Sequence, residues 1–223
     1  FETHGHSTRN RGRPVKPLPT LGQSELQVHP VVLGTFAIGG WWWGPQSSSD
    51  ALEAIRAHLD AGANGIDTAP MYGFGRAEEI IGEALKGRQQ QAVVMTKTGL
   101  RWDGIGTPFF PARHEGKKYQ VCFDSTPTRV REECHLSLKR LGIDCIDLYQ
   151  VHWPDPSTPI EDTMGEMLRL KDEGKIRAVG VSNFSQQQIE EAQRSLGDEP
   201  LTSIQPRYSL LHRKIERSVL PSC

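Results

Sequence analysis

From Val31 onward, short runs rich in β-branched residues alternate with amphipathic segments of helical period, and this order constrains the fold more than any other feature. Parallel strands need crossover connections, which are usually helices, so the order predicts an α/β fold built on a parallel sheet. Two architectures fit it, an open doubly wound sheet and a closed eight-stranded barrel. We predict six strands, at residues 31–35, 65–68, 92–97, 145–152, 178–182 and 202–205.

The segment after the first strand distinguishes the two architectures. An open dinucleotide-binding sheet carries the pattern G-x-G-x-x-G there, whereas this chain has Gly34-Thr35-Phe36-Ala37-Ile38-Gly39-Gly40. Gly73-Phe74-Gly75 has two of the three glycines, but it follows the second strand, where such a pattern is typical of a turn. The sequence therefore favours the barrel.

Four helices have recognisable starts. Asp50 precedes an apolar stripe, and Thr126 precedes Pro127, whose ring suits the first helical position. The stretches 158–161 and 185–188 each begin with a hydroxyl residue and carry Glu or Gln three positions later, as in a capping box. We therefore predict helices that begin after Asp50, Thr126, Thr158 and Ser185.

Polar residues at the predicted strand ends are the candidates for chemistry, because the active sites of barrel enzymes lie where the carboxyl ends of the strands meet. Asp67 ends the second strand, Tyr72 follows it in the loop, Lys97 ends the third strand and His152 ends the fourth. Each alone has an ordinary structural interpretation, as a turn former, a solvated strand end or a histidine at the margin of the core. Together they are expected to converge on one rim.

These four side chains form a set suited to the reduction of a carbonyl group. A tyrosine phenol, with a pKa of about 10, is a poor acid unless a positive charge favours the phenolate left after proton donation. Lys97 can supply that charge, and a lysine in a dry pocket needs a counter-ion, which Asp67 can supply. His152 can then orient the carbonyl. A hydride donor has to come from outside this set.

The same residues carry a resemblance to a known family. It extends from about Leu33 to the carboxyl end, through the stretches 34–40, 67–73, 96–97, 147–153 and 180–184 and the single residue Gln205. The chain resembles the aldo-keto reductase superfamily, and within it the bacterial general-stress and inositol-cluster type branch. The resemblance implies a (β/α)8 barrel that reduces aldehydes or ketones to alcohols, with NADPH bound extended across the barrel mouth. It also implies a catalytic tetrad of Asp67, Tyr72, Lys97 and His152, with Tyr72 as the proton donor.

By the same resemblance, six residues are expected to contact the cofactor: Gly34, Thr35, Asp67, Ser182, Asn183 and Gln205. The last three would hydrogen-bond the nicotinamide carboxamide, and the first two would line its pocket. A plainer interpretation makes 182–185 the polar turn before a helix, a role that Ser185 fills well.

Large aromatic side chains follow the first and fourth strands, where they could wall an apolar substrate pocket. Phe36, Trp41 and Trp153 are expected to shape it. The adjacent Trp41, Trp42 and Trp43 cannot all face inward, so we expect one or two to do so and the rest to pack beneath a loop. The segment 99–125 is too long for an ordinary connection and is predicted to fold over the site as a lid that sets substrate preference.

The length of the chain limits how much of a barrel it can form. Residues 1–20 carry several basic side chains among Gly, Pro, Ser and Thr and predict a disordered arm, which leaves 21–223 for the barrel domain. A complete barrel usually takes about 250 residues, so we expect about six of the eight βα units here. By the resemblance, the aromatic that stacks on the nicotinamide and the basic residues on the 2′-phosphate lie in the two remaining units.

Composition narrows the partners. A formal net charge of -1 and a pI of about 6.8 give no general attraction to nucleic acid or to an anionic membrane, so a small-molecule carbonyl substrate is the expected partner. An apolar run of the roughly 20 residues that span a bilayer is lacking, as is a signal-peptide pattern, which predicts a cytoplasmic protein. The four cysteines form no C-x-x-C pair, so neither a metal site nor a disulfide framework is predicted.

Two other functions fit the same residues. A cofactor-binding regulatory subunit, like the potassium-channel β subunits of this superfamily, would keep the fold and the tetrad while serving a partner. A truncated, non-catalytic chain would bind NADPH weakly or not at all. Turnover, binding without turnover, and loss of binding distinguish the three.

Overall fold

Strands and helices alternate along residues 17–222, which the computed structural model describes. The strands in this part of the chain are β1 (Leu33–Gly34), β2 (Gly65–Asp67), β3 (Val93–Thr98), β4 (Leu100–Arg101), β5 (Thr107–His114), β6 (Lys117–Phe123), β7 (Ile146–Val151), β8 (Ile176–Ser182) and β9 (Leu201–Gln205). The α-helices are α1 (Ser48–Asp60), α2 (Arg76–Ala84), α3 (Pro127–Leu141), α4 (Ile160–Asp172) and α5 (Gln186–Leu196).

Six of the described strands form one curled parallel sheet in the order β1-β2-β3-β7-β8-β9. Helices cover its outer face, where Tyr149 and Val151 of β7 pack with Val130 of α3 and Met164 of α4. The predicted architecture, a partial (β/α)8 barrel with about six βα units, is confirmed. For each of the six strands, the predicted carboxyl end lies within two residues of the observed one. Strand β1 begins later than predicted.

The inner face of the sheet begins with an apolar row near the amino ends of the strands. Met95, Leu148 and Ala178 are partners in register across β3, β7 and β8. Leu26 and Val28, from the segment before β1, pack against this row. The base of the barrel is therefore closed by side chains from outside the sheet.

The segment before β1 folds back on itself. Thr20 forms an antiparallel bridge with Gln27, and the amide of Val28 donates to the carbonyl of Pro19. Of the predicted disordered arm at 1–20, residues 1–16 lie outside the described residues. The remaining stretch, 17–20, belongs to this folded segment.

Two of the four predicted helix starts are confirmed. Thr126 accepts a hydrogen bond from the amide of Arg129 at the start of α3. Ser185 and Gln188 form the predicted capping box at the start of α5, each side chain bonding the other's backbone. Both caps involve groups only three residues apart, which sequence reasoning handles well.

The other two starts were predicted at the wrong residue. Helix α1 begins earlier, with Ser47 as the cap that accepts from the amide of Asp50, so Asp50 lies in the first turn, where a carboxylate is favourable. Helix α4 begins after Pro159, because the hydroxyl of Thr158 donates to Asp155 at 2.8 Å instead of capping the helix. Asp155 precedes the stretch 158–161, and the capping-box pattern therefore does not include it.

The segment 99–125 contains secondary structure that was not predicted. It holds β4, β5 and β6, an antiparallel sheet in the order β4-β6-β5, which we call the flap. Pro108 and Pro111 lie in β5, at an edge of this sheet, where a residue without an amide proton is tolerated. The segment was predicted from its length to fold over the site as a lid, and its strands were not predicted.

Helices α2 and α3 pack at very close range beside β3. Gly82 lies against the backbone of α3, so that a Cβ at this position would be 2.5 Å from the carbonyl oxygen of Arg140. The neighbouring Glu78 is fully buried and accepts hydrogen bonds from Thr96 and Arg140. Burial raises the pKa of Glu78 despite the guanidinium beside it.

We predict opposite effects for alanine at two helical glycines. Gly82→Ala should lower the free energy of unfolding by about 1–3 kcal/mol, since the new methyl group collides with backbone that cannot move aside. Gly165→Ala in α4 is the matched control, because its Cβ would meet only the far end of Arg169 at 3.9 Å. It should raise the free energy of unfolding by about 0.5–1 kcal/mol. Urea denaturation followed by circular dichroism measures both, and equal effects would contradict the close packing.

Candidate active site

The ammonium of Lys97 is the centre of the polar cluster inside the sheet. Its Nζ donates to both carboxylate oxygens of Asp67 at 2.9 Å and to the carbonyl of Thr68 at 2.8 Å. A longer contact of 3.3 Å joins it to the phenol oxygen of Tyr72. Lys97 is 1% exposed, so these contacts replace the water that an ammonium otherwise requires.

Asp67 is itself held by the strand beside it. The amide and the hydroxyl of Thr35 both donate to the backbone carbonyl of Asp67, at 3.0 and 2.9 Å. Since Thr35 is fully buried directly after β1, these bonds tie the end of β1 to the end of β2. The carboxylate that faces Lys97 is therefore fixed at its base as well as at its oxygens.

Tyr72 lies in the loop after β2, and two glycines allow this loop to pack tightly. A Cβ on Gly39 would lie 2.5 Å from the backbone carbon of Tyr72, and one on Gly73 would lie 2.2 Å from the carbonyl oxygen of Gly39. Gly73 also has φ +66°, a left-handed conformation that favours glycine. The turn after β1 thus presses directly on the backbone that carries the phenol.

His152 follows β7 on the same rim. Its amide donates to the carbonyl of Thr98 at 2.9 Å, and its ring centroid lies 6.0 Å from that of Tyr72. Burial, and after it the positive charge of Lys97, hold the pKa of His152 well below its usual value of 6.5. The imidazole is therefore neutral at neutral pH, with one N–H donor and one acceptor nitrogen.

The predicted carboxamide contacts lie together where β8 and β9 end. The hydroxyl of Ser182 donates to the carbonyl of Gln205 at 2.8 Å, and the side-chain amide of Asn183 donates to the carbonyl of His152 at 2.9 Å. Gln205 has an exposed side chain. Gly34 lies in β1, at the other end of the strand order, and borders open space, since a Cβ there would meet nothing within 4 Å. Amide and hydroxyl groups of this kind suit a carboxamide, which both donates and accepts hydrogen bonds.

A cluster of aromatic rings lies next to Tyr72. The ring of Phe36 lies 5.0 Å from that of Tyr72, and Trp41, which is buried, lies 6.1 Å from Phe36. On the other side, Trp153 contacts Phe109 of the flap, with ring centroids 5.4 Å apart. The flap and the turn after β1 together form an aromatic wall beside the candidate site.

Only part of the expectation for the three tryptophans is correct. Trp41 faces inward and donates its indole N–H to the carbonyl of Arg113 in the flap. Trp42 and Trp43 are 77% and 62% exposed, and they were expected to pack beneath a loop. Trp42 has φ +69°, a conformation that is strained for a bulky residue.

Sequence reasoning missed the buried amide next to Asp67. Gln150 is 2% exposed, and its Nε2 lies 3.5 Å from Oδ1 of Asp67. The signal was present, because Leu148, Gln150 and His152 alternate along β7 and so face the same side of the sheet. The glycine contacts at Gly39 leave no comparable signal, since they depend on how two loops meet.

Within residues 17–222, no group of three or more His, Cys, Asp or Glu side chains could hold a metal ion. In the same part of the chain, each helix is too short or too polar to cross a membrane.

The chain is similar to known proteins over most of its length. A model of the "Aldo/keto reductase family" matches residues 30–223. The aldo-keto reductase YhdN of Bacillus subtilis (strain 168) is 46% identical over 204 residues, which cover 91% of this chain and 56% of that protein. The NADH-specific methylglyoxal reductase of Escherichia coli (strain K12) is 40% identical over 215 residues, which cover 94% and 64% respectively. The chain thus spans less than two thirds of the length of these relatives.

The fold is also similar to that of solved structures. The glycerol dehydrogenase AKR11B4 from Gluconobacter oxydans superposes with a TM-score of 0.78 at 44% identity, covering 92% of this chain and 59% of that one. The holo form of aldo-keto reductase AKR11C1 from Bacillus halodurans gives a TM-score of 0.75 at 31% identity, covering 89% and 60%.

The lowered pKa of His152 predicts how stability depends on pH. The unfolded chain takes up a proton at this residue below about pH 6.5, whereas the folded chain does not, so the free energy of unfolding should fall as the pH drops. Between about pH 7.5 and 5.5, the free energy of unfolding of His152→Gln should fall by about 1 kcal/mol less than that of the unsubstituted protein. Urea unfolding at the two pH values measures it, with His135→Gln at an exposed position of α3 as the control. Identical pH slopes for His152→Gln and the unsubstituted protein would contradict the prediction.

Proposed function

The chain belongs to the aldo/keto reductase family, and on that basis we propose that it reduces the carbonyl group of an aldehyde or ketone to an alcohol, with a nicotinamide cofactor as the hydride source. Tyr72 is the proposed proton donor. The observation that carries this proposal is the 3.3 Å contact between the phenol oxygen of Tyr72 and the ammonium of Lys97, itself held by Asp67. That arrangement makes a phenol useful as an acid.

The ammonium acts on the charge that develops during proton transfer. As the O–H bond of Tyr72 breaks and its proton passes to the carbonyl oxygen of the substrate, negative charge builds on the phenol oxygen. A full charge 3.3 Å from Lys97 is stabilised by about 5 kcal/mol at an effective dielectric constant of about 20. Asp67 keeps the ammonium charged and in place, since a buried lysine without a counter-ion tends to lose its proton.

His152 has a different part in the proposed reaction. Because its imidazole is neutral, it can donate a hydrogen bond to the carbonyl oxygen without adding a second positive charge beside Lys97. Its ring centroid lies 6.0 Å from that of Tyr72, so the two groups border the same part of the rim. The two donors would then hold the oxygen that receives the proton.

The cofactor contacts are proposed from the donor groups at the rim. When bound, the cofactor supplies the hydride that reduces the carbonyl carbon. The residues proposed to hold its nicotinamide end are Gly34, Thr35, Asp67, Ser182, Asn183 and Gln205. We propose NADPH as the preferred cofactor from the family resemblance, and the name of the E. coli relative makes NADH the alternative to test.

The substrate wall is proposed to consist of Phe36, Trp41 and Trp153. Phe36 lies next to Tyr72 and Trp41 lies next to Phe36. Trp153 contacts Phe109, which extends the wall into the flap. Apolar rings exclude water from the neighbourhood of the phenol and the imidazole, which strengthens the electrostatic effects described above. The flap is proposed to set substrate preference.

We predict that Tyr72→Phe lowers kcat by about two to four orders of magnitude while the affinity for the cofactor stays within about twofold, since only the proton donor is lost. The whole protein that carries these residues is assayed with methylglyoxal, and oxidation of NADPH and of NADH is followed by absorbance. Tyr119→Phe is the matched control, because its ring stacks on Phe74 of the same aromatic cluster, 4.5 Å away.

Three outcomes would count against the proposed function. Full activity of Tyr72→Phe would show that Tyr72 is not the proton donor. An equal loss of activity in Tyr119→Phe would show that the effect comes from altered aromatic packing. Cofactor binding without turnover of any aldehyde in a panel would favour a regulatory subunit of the same fold.

A further inference from the structure

The inner face of the barrel has a second row, directly above the apolar one. Lys97, Gln150, Gly180 and Ser203 are partners in register across β3, β7, β8 and β9. Asp67 reaches the same level from β2 through its contact with Lys97. The row thus carries one charged group, one amide and one hydroxyl beside the proposed counter-ion of the lysine.

Gln150 connects the far side of this row to Asp67. Ser203 donates to the amide oxygen of Gln150 at 3.3 Å, and the amide nitrogen donates to Oδ1 of Asp67 at 3.5 Å. The second contact is long for a hydrogen bond, so its effect is to orient the carboxylate more than to bind it tightly. Because a buried amide needs partners for both its ends, Ser203 and Asp67 fix the plane of the amide between them.

Gly180 provides the space in which this chain of contacts fits. A Cβ at this position would lie 2.4 Å from the hydroxyl of Ser203 and 3.0 Å from Cγ of Gln150. Any side chain here would displace both groups. The position of the amide is therefore determined by three strands at once.

We infer that Gln150 is a positioning residue for the proposed reduction: it holds the Asp67 carboxylate in the orientation that presents both oxygens to Lys97. The inference rests on the proposed function. Oδ1 of Asp67 accepts both from Lys97 and from Gln150, which restrains rotation of the carboxylate about its Cβ–Cγ bond. With both carboxylate oxygens and the carbonyl of Thr68 bound to the ammonium, Tyr72 makes its fourth and longest contact, at 3.3 Å.

The first test removes the amide and keeps the volume. Gln150→Met should lower kcat with methylglyoxal roughly tenfold and change KM less than about twofold, since the loss lies in the orientation of the acid and not in substrate binding. Tyr149→Phe is the matched control, because it removes one buried hydrogen bond, to the carbonyl of Val130, from the opposite face of the same strand. It should lower thermal stability and leave kcat unchanged.

The second test uses pH to restore the donor. In Gln150→Glu, a protonated glutamic acid can donate to Asp67 as the amide does, whereas an ionised one places a second negative charge beside it. The ionisable groups near this row, among the described residues, are Asp67, Lys97, Tyr72 and His152, together with His29 from the segment before β1, which lines the same cavity as Asp67 and Gln150. Relative to the unsubstituted protein at each pH, the Glu variant should be most active at acid pH and lose activity as the pH rises.

A structural readout makes the inference independent of turnover. Crystal structures of the unsubstituted protein and of Gln150→Met should differ in the carboxylate of Asp67, which is expected to rotate so that only one oxygen remains within hydrogen-bond distance of Lys97. An unchanged carboxylate together with unchanged kcat would overturn the inference.

The outcomes also separate this inference from the proposed function. If Tyr72→Phe abolishes turnover but Gln150→Met keeps full kcat, the positioning role is wrong and the proposed function stands. If Tyr72→Phe is fully active, the proposed function is wrong, and the orientation of Asp67 in the Met variant then decides the positioning role by itself. A constant relative activity of the Glu variant across pH would also count against Gln150.

Discussion

The buried ion pair between Lys97 and Asp67 is the interaction on which the rest of the site depends. An ammonium that is 1% exposed is stable only where every one of its protons has an acceptor, and the carboxylate, the carbonyl of Thr68 and the phenol of Tyr72 accept them here. Removing one partner of such a pair costs about 3–5 kcal/mol. Because Thr35 holds the backbone of Asp67, the pair forms only when β1, β2 and β3 are in register.

The same positive charge affects its two neighbours in opposite ways. It favours negative charge on the oxygen of Tyr72, 3.3 Å away, and it disfavours positive charge on His152, whose pKa burial already lowers. The phenol and the imidazole are thereby suited to different tasks. A site with a second cation would lose this distinction, since a charged imidazole would compete with the ammonium for Asp67.

Sequence reasoning worked where the physical cause is local or topological. Residues at the carboxyl ends of parallel strands share a rim whatever the helices do, so the convergence of Asp67, Lys97 and His152 could be predicted from strand order alone. It failed where distant groups compete. Asp155 accepts the hydrogen bond of the Thr158 hydroxyl, which was predicted to cap α4. The flap packs against a turn some seventy residues earlier in the chain, where the indole of Trp41 donates to the carbonyl of Arg113.

On the inner face of the sheet, the apolar residues and the polar residues of the site lie in separate rows. Met95 and Leu148 lie in the apolar row that the segment before β1 covers, and one step towards the carboxyl ends their strands carry Lys97 and Gln150. The parallel register keeps the two rows in place, because a shift of one residue would turn every inward side chain of a strand outward. The polar row is only one residue deep, so its members have few alternative partners. A change at Gln150 therefore acts on Asp67 directly, whereas a change in the apolar row reaches the ion pair only through the packing of the barrel.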